Sequence, residues 1–438
     1  MNKQNNNHQA VGFIRAVGVL GLAAAIFNCT VGGGIFRLPT GAAAVAGSAA
    51  PLVYLICAAV MACVVLCFAE AGSRVAKTGG AYAYIETVFG RYAGFLAGVL
   101  LWMVGTTAAA GVASAMADAV ATLIGLPSSR IAIIVCAFAF LAAVNVRGVE
   151  HGTRLIMIIS VAKLLPLLVF IGVGVFFITP SNLVIAQMPP AADLARAAII
   201  LIFAFSGVES ALLPSGEVRD PARTVPRAIA IAMIGVTLLY LAVHLVAQGV
   251  LGAQLANATV APLAVAAGQF LGTPGYLLLL IGASISMLGY LSGISLALPR
   301  ALWKFAQEGF LPSPLATVHP RFHTPHIAVI VHCSVLCVLA SFNSFEQLAV
   351  ISNLAALLLY IGVAIATILL RRRGIQLDGH APFRVPGGVL IPLLTLVLIV
   401  WLLTSITSEE WTAMLITVVT ASVLFVVTQY RRLRHHNA

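Results

Sequence analysis

Charged side chains are scarce in this chain of 438 residues: Lys, Arg, Asp and Glu make up 8% of it, while 61% is hydrophobic and the mean hydropathy is +1.06. A soluble domain carries about 25% charged residues, so too few polar groups are present to cover a globular surface in water. A water-soluble fold is excluded, and an integral membrane protein follows. Cysteines in redox or zinc spacing are lacking as well. Cys29, Cys57, Cys63, Cys67, Cys136, Cys333 and Cys337 all fall in apolar stretches without a CxxC pair, which marks them as small buried hydrophobes. No stretch is long and polar enough for a soluble domain; the longest loops, near residues 304–325 and 371–388, are Pro-rich and basic, and suit short amphipathic or surface pieces. A cleavable signal peptide is not evident, because residues 1–10 are polar and Asn-rich and no small-residue cleavage site follows. No Ser/His/Asp, HExxH or paired-carboxylate constellation shares one depth, which argues against a membrane enzyme. No cofactor and no metal are expected: Pro320 and Pro325 divide the His319, His323 and His326 loop and spoil a helical metal face, and the single His244 and His332 suit hydrogen-bonded packing.

What the chain has in quantity is apolar runs. They fall near residues 11–37, 45–73, 88–124, 130–147, 154–179, 194–214, 225–252, 273–303, 326–342, 345–370, 389–407 and 411–430. At about 20 residues per span, this predicts an all-α polytopic membrane protein of about twelve transmembrane helices. With the N-terminus in the cytoplasm, 20 of the 24 Lys and Arg lie inside, Arg37, Arg130 and Arg196 lie outside, and Lys163 lies within the membrane. That asymmetry predicts two cytoplasmic termini. It also accounts for the formal charge of +11 without a nucleic acid partner.

Two spans carry helix-weakening residues. Gly32, Gly33 and Gly34 follow one another in the first, and each costs about 1 kcal/mol relative to alanine in a helix interior. Unwinding exposes backbone groups that hydrocarbon does not tolerate unless they line a cavity or meet a ligand; close helix packing is the other use of such glycines. Five helices later, Ser206, Gly207 and Glu209 interrupt the apolar run from Phe203 to Ala211. Interruptions at corresponding positions of two halves point to a transporter site, and a spacing of five places the second unit in inverted orientation. Half-helix ends offer amides to a carboxylate and carbonyls to an ammonium group, which suits a zwitterion. The expected substrate-binding set is therefore Thr30, Gly32, Gly33, Gly34, Ile35, Phe205, Ser206 and Gly207, with amides from Gly32 to Ile35 on the carboxylate and carbonyls near Phe205 on the ammonium.

Few ionisable residues lie at depth. Lys163 is nine residues beyond Arg154, about 13 Å along a helix, and a buried ammonium defaults to function unless its stem snorkels to the interface. Its expected role is a cation surrogate that ties the fifth helix to carbonyls of the broken first one, or a group that releases a proton during the cycle. Glu209 is a candidate for a cationic substrate, for a proton, or for a polar neighbour in a gate. Glu70 and Asp118, near opposite ends of their helices, are expected to be satisfied close to the interfaces.

Several segments together resemble the amino acid-polyamine-organocation family of permeases over nearly the whole chain. Gly32 to Phe36 is similar to that family's first-helix glycine motif, and Glu70 with Lys77 to Tyr82 to its motif after the second helix. Phe205 to Ser210, Glu217 to Pro221 and Val225 to Ala228 are similar to the signature of helices six and seven, and Pro382 to Gly387 to the loop before helix eleven. The resemblance implies the fold of leucine-transporter-type proteins, alternating access, transport of amino acids or related amines, and a Lys163 that stands in for sodium in sodium-independent members. Two positions depart from the pattern: Gly33 occupies a place where many relatives have serine, and Glu209 lies where some arginine and polyamine antiporters carry glutamate. Those antiporters generally lack the helix-five lysine, so the implied substrate is a neutral amino acid.

The expected organisation is a disordered cytoplasmic segment at 1–10, a first five-helix repeat at 11–179, an inverted second repeat at 194–370 with helices one and six broken, a cytoplasmic loop at 371–388, two accessory helices at 389–430 and a basic tail at 431–438. The expected function is sodium-independent amino acid transport in the plasma (inner) membrane, by exchange or with protons, with the lipid bilayer and the amino acid as partners. A cationic amino acid or polyamine antiporter and a non-transporting amino acid sensor are the alternatives. The oligomeric state is not readable from the sequence.

Overall fold

A computed structural model describes residues 18–75, 80–147, 163–185, 187–207, 221–376 and 381–436. Every regular element among the described residues is helical. In chain order they are α1 (Val19–Thr30), α2 (Gly34–Ala46), α3 (Ala50–Arg74), α4 (Ala81–Phe89), α5 (Arg91–Leu123), α6 (Arg130–Arg147), α7 (Leu164–Gly174), α8 (Ala191–Phe205), α9 (Pro221–Leu251), α10 (Pro262–Ala297), α11 (Pro299–Gln307), α12 (His326–Phe342), α13 (Phe345–Arg372), α14 (Leu390–Leu403) and α15 (Ser408–His436). Seven helical stretches are long and apolar enough to cross a membrane, and four shorter apolar helices accompany them. The protein is a multi-pass membrane protein.

The helices α5 and α13 pack along each other at the centre, with α10 on one side and α3 and α8 on the other. At the periphery, α15 leaves Leu415, Ile416 and Val426 more than half exposed, as lipid contact requires. Helix limits shift where one residue decides them. The first span continues past Arg37 to Ala46, because that charge is not at an end: it is largely buried and faces Asp118 and Glu346. Gly90, at φ +85°, separates α4 from α5, so the expected run of 88–124 is α5 apart from its first residues, and α4 is an additional short helix ahead of it. The eighth run starts at 273 as expected, just past the non-helical Gly272 (φ +65°), which a shorter helical piece from Pro262 precedes, and it gives way after Leu298 to α11, where Pro299 lacks the N–H that would continue the ladder. Within the loop expected to hold amphipathic pieces, α11 ends with Leu302 and Ala306 buried and Lys304 outward.

Charges gather at the two ends of the bundle. At one end Arg130 donates from Nε to Asp118 at 2.9 Å and from its guanidinium to Ala340, Ser341 and Asn343 carbonyls. Arg37 lies 3.6 Å from Asp118 and 3.5 Å from Glu346, and Arg196 pairs with Glu410 at 3.1 Å. The three arginines assigned by sequence to the outer side thus each meet a carboxylate. At the other end Glu70, wholly buried, accepts from Arg74 at 2.9 and 3.1 Å, from both Nε and Nη2 of Arg371, and from the Val385 amide at 2.8 Å. One carboxylate therefore joins α3, α13 and the Pro382–Gly387 segment.

Removing one partner of a buried, paired charge costs about 3–5 kcal/mol. Glu70→Ala is expected to lower the thermal unfolding temperature of the detergent-solubilised protein more than the same substitution at the exposed Glu409. A melting curve of Glu70→Ala that superimposes on wild type would refute this role of the cluster.

Candidate functional site

The helix α1 stops at Thr30, and α2 starts at Gly34 after a three-residue bend. The first amides of a helix have no intrahelical acceptor, so the N–H groups of Gly33, Gly34 and Ile35 head α2 with its positive dipole end. The carbonyls that α1 leaves are nearly all taken. Lys163, at the start of α7, donates its ammonium to Asn28 O and Val31 O, both at 2.6 Å. The Tyr240 hydroxyl, from α9, lies 2.8 Å from Thr30 O and 2.9 Å from Ala204 O. It is fully buried, with its ring edge-on to Phe205 at 5.4 Å. Tyr240 thereby joins the ends of α1 and α8.

The second interruption lies where sequence placed it. The helix α8 ends at Phe205, Ser206 is extended, and Gly207 has φ +115°. A Cβ at Gly207 would lie 2.9 Å from Cys29 O, so the two interrupted segments touch through backbone that only glycine accommodates. Glu209, and the segments Lys77–Gly79 and Glu217–Asp220 of the sequence motifs, lie outside the described residues.

Both interruptions line one cavity of about 950 Å³. Asn28 to Thr30, Gly32 to Gly34, Phe203, Ala204, Ser206, Gly207 and Lys163 face it, while the side chains of Ile35 and Phe205 are buried in the packing behind. Thr30 contributes little free polarity, since its hydroxyl donates to Ile26 O at 2.9 Å and its carbonyl is held by Tyr240. Phe203, edge-on to Phe345 at 5.4 Å, closes one end of the cavity. Walls of α5 and α10 lead from there to a mouth at Arg91, Lys304 and Glu308, whose outer side chains are solvent-accessible. The surroundings of Gly33 are tight: a Cβ there would lie 3.0 Å from Met287 Cγ and from Val112 Cγ1, so those side chains would have to give by a few tenths of an ångström.

Among the remaining sequence candidates, Glu70 and Asp118 are held in the two end clusters, away from the cavity. His244 bonds Gln248 at 2.9 Å. His332 is wholly buried and lies edge-on to the Trp102 ring at 6.0 Å, without a hydrogen-bond partner among the described residues. The Nδ1 of His319 accepts the amides of Arg321 and Phe322, which commits it to the turn.

A sequence profile of amino acid permeases matches residues 17–426. The chain belongs to the amino acid permease family. This permease is 27% identical to the serine/threonine exchanger of Bacillus subtilis over 83% of its own length and 84% of the relative's. It is 29% identical to the human Asc-type amino acid transporter 1, over 90% and 78%. A similarity of 26% over 91% and 90% relates it to the methylthioribose transporter of Bacillus subtilis. Membership therefore places the permease among amino acid carriers and their kin, and the choice of substrate rests on the site.

Sequence reasoning missed Tyr240, and it expected walls from the third, eighth and tenth spans without naming their residues. Tyr240 lies 33 residues beyond Gly207 in an ordinary apolar helix, and nothing local marks it. A substitution at the touching point of the two segments is the direct test of their arrangement. In Gly207→Ala the new methyl meets a backbone carbonyl, and the left-handed φ is strained by about 1–3 kcal/mol. Transport is expected to fall at least tenfold while the protein still reaches the membrane; wild-type rates in that variant would show that the contact is dispensable.

Proposed function

We propose that the permease carries neutral amino acids without sodium, by alternating access around the two interrupted helices. The observation that supports this most is Lys163: an ammonium on a covalent stem holds the carbonyls at the end of α1, in the manner of a bound cation. Its positive charge beside the cavity favours a substrate carboxylate and disfavours a cationic side chain. In this reading the amides of Gly33, Gly34 and Ile35, with Gly32, receive the carboxylate, and carbonyls at Phe205, Ser206 and Gly207 receive the ammonium group. Glu209 is a proton-carrying or gating candidate.

The architecture fits a leucine-transporter-type arrangement of twelve spans. The pair α1/α2 and then α3, α5, α6 and α7 make five, α8, α9, α10, α12 and α13 make five more, and α14 and α15 are accessory. The cavity mouth lies at the end of Arg91 and Lys304, which the arrangement of basic residues assigns to the cytoplasm, with both termini on that side of a plasma membrane. The Arg37, Asp118, Arg130 and Glu346 cluster covers the opposite end, so the conformation corresponds to an inward-facing state. Exchange of neutral substrates has support from the serine/threonine exchanger among the relatives.

Uptake of labelled amino acids into sodium-free proteoliposomes tests the reading. Preloading with unlabelled neutral amino acid is expected to stimulate uptake of neutral substrates, with arginine and diamines excluded. Accumulation in empty vesicles under an inward proton gradient would assign proton symport instead, and binding without transport under any condition would make the protein a sensor. Lys163→Ala is expected to lower uptake at least tenfold at unchanged expression; normal kinetics with unchanged ion dependence would overturn the cation-surrogate role.

A further inference from the structure

Arginines in this permease commonly meet a carboxylate: Arg37, Arg130 and Arg196 reach Asp118, Glu346 or Glu410, and Arg74 and Arg371 share Glu70. Two arginines at the junction of α4 and α5 depart from that habit. Arg373, just past the end of α13, donates from Nη1 to Val88 O at 2.9 Å, which brings it to the last turn of α4. Three residues beyond Val88, Arg91 opens α5 on the rim of the cavity. Both are exposed, and neither makes an ion pair among the described residues. The carboxylates on the same rim have other company: Glu86 accepts from the Tyr82 hydroxyl at 3.2 Å, and Glu308 lies 3.5 Å from Lys304. A guanidinium has five donors, and Arg373 spends one of them on Val88.

The surroundings select the anion. Phe89 and Tyr92, on either side of Arg91 in the chain, are each 44% exposed. Tyr92 also ties α5 to α15, through Ser422 Oγ at 2.8 Å and the edge-on Phe425 ring at 5.2 Å. From that contact back towards the start of α15, Leu415, Ile416 and Val419 are more than half exposed. Exposed rings beside cationic side chains mark the headgroup level of a bilayer, and the apolar face that follows is where acyl chains lie. A free anion would meet the arginines alone, and a protein partner would have to displace lipid from α15. A lipid with an anionic headgroup meets the arginines, the rings and the apolar face together.

We propose that the α4–α5 junction seats the phosphate of an anionic phospholipid between Arg91 and Arg373, with an acyl chain along α15. Guanidinium groups pair with phosphate oxygens through two parallel N–H bonds, and basic residues at the membrane surface draw anionic lipid. The bound headgroup bridges the end of α13 to the start of α5, two elements 282 positions apart in the chain at these arginines. The seat lies beside the cavity mouth and is separate from the substrate, so it holds whatever the permease carries.

The test follows thermal unfolding of the permease in a non-ionic detergent with phosphatidylglycerol, phosphatidylcholine or inorganic phosphate added. A ligand of the folded state raises the unfolding temperature, and phosphatidylglycerol is expected to raise that of wild type by about 2–4 °C, with little change from the other two. In Arg91→Gln/Arg373→Gln the rise is expected to shrink to less than about half. The charge-matched control Arg147→Gln/Arg321→Gln removes two exposed arginines where α6 meets the start of α12, and is expected to keep the full rise. Equal rises in all three proteins mean bulk charge attraction and overturn the seat, as does no rise in wild type. The same rise from phosphatidylcholine or from inorganic phosphate overturns it too, the first by making the headgroup charge irrelevant and the second by assigning the arginines to a free anion. Should the double variant not fold for want of the Val88 contact, Arg91→Gln, whose side chain makes no hydrogen bond among the described residues, decides against Arg147→Gln by the same comparison. The readout requires no transport, so its failure leaves the carrier reading untouched.

Discussion

A carbonyl that leaves its helix inside hydrocarbon must find a donor, and the permease is organised around that requirement. Three glycines end α1 early and free its last carbonyls. Lys163 takes two of them and Tyr240 takes a third, each from a different helix. The interruption is thus stabilised by neighbours rather than tolerated by the bilayer, and the free polarity that remains is concentrated on one side: the amides at the head of α2 and the adjoining wall of the cavity. The ends of two half-helices contribute partial charges at this point, beside the full charge of the Lys163 ammonium.

The same economy governs the rest of the charge. Only 37 residues carry a formal charge, 24 basic and 13 acidic, and the buried ones are compensated. Glu70 receives two guanidinium groups and a backbone amide, which converts a costly buried carboxylate into a fastener between helices distant in sequence. At the other end the contacts divide by tightness. Arg130 holds Asp118 at 2.9 Å between adjacent helices, whereas Arg37 reaches the same carboxylate from α2 at 3.6 Å. The looser contact belongs to the element that continues from the interruption.

The fold was legible in the sequence to the extent that local composition carries it. Triple glycine, an ammonium deep in an apolar run and a second interruption have counterparts in the break after Thr30, the Lys163 contacts and the break after Phe205, while the substrate site and the membrane face of each arginine belong to the proposed reading. Boundaries were misread where tertiary contacts override composition: Arg37 looks like the end of a span until Asp118 and Glu346 are known to face it. Tyr240 could not be found in advance for a related reason. It is an ordinary helical residue whose importance lies in what its hydroxyl touches, and that is a long-range fact. Gly33, where many relatives have serine, shows the same limit: the close approach of Val112 and Met287 to it is a tertiary fact that the sequence does not carry.

A cation bound through a covalent stem has a thermodynamic consequence. Under the carrier reading proposed above, the Lys163 side chain stays with the protein through every cycle, so a metal-ion gradient would do no work through this position, and a zwitterion crossing beside it would move no net charge through the membrane voltage. Concentrating power would have to come from elsewhere, from a proton or from a second substrate moving the other way.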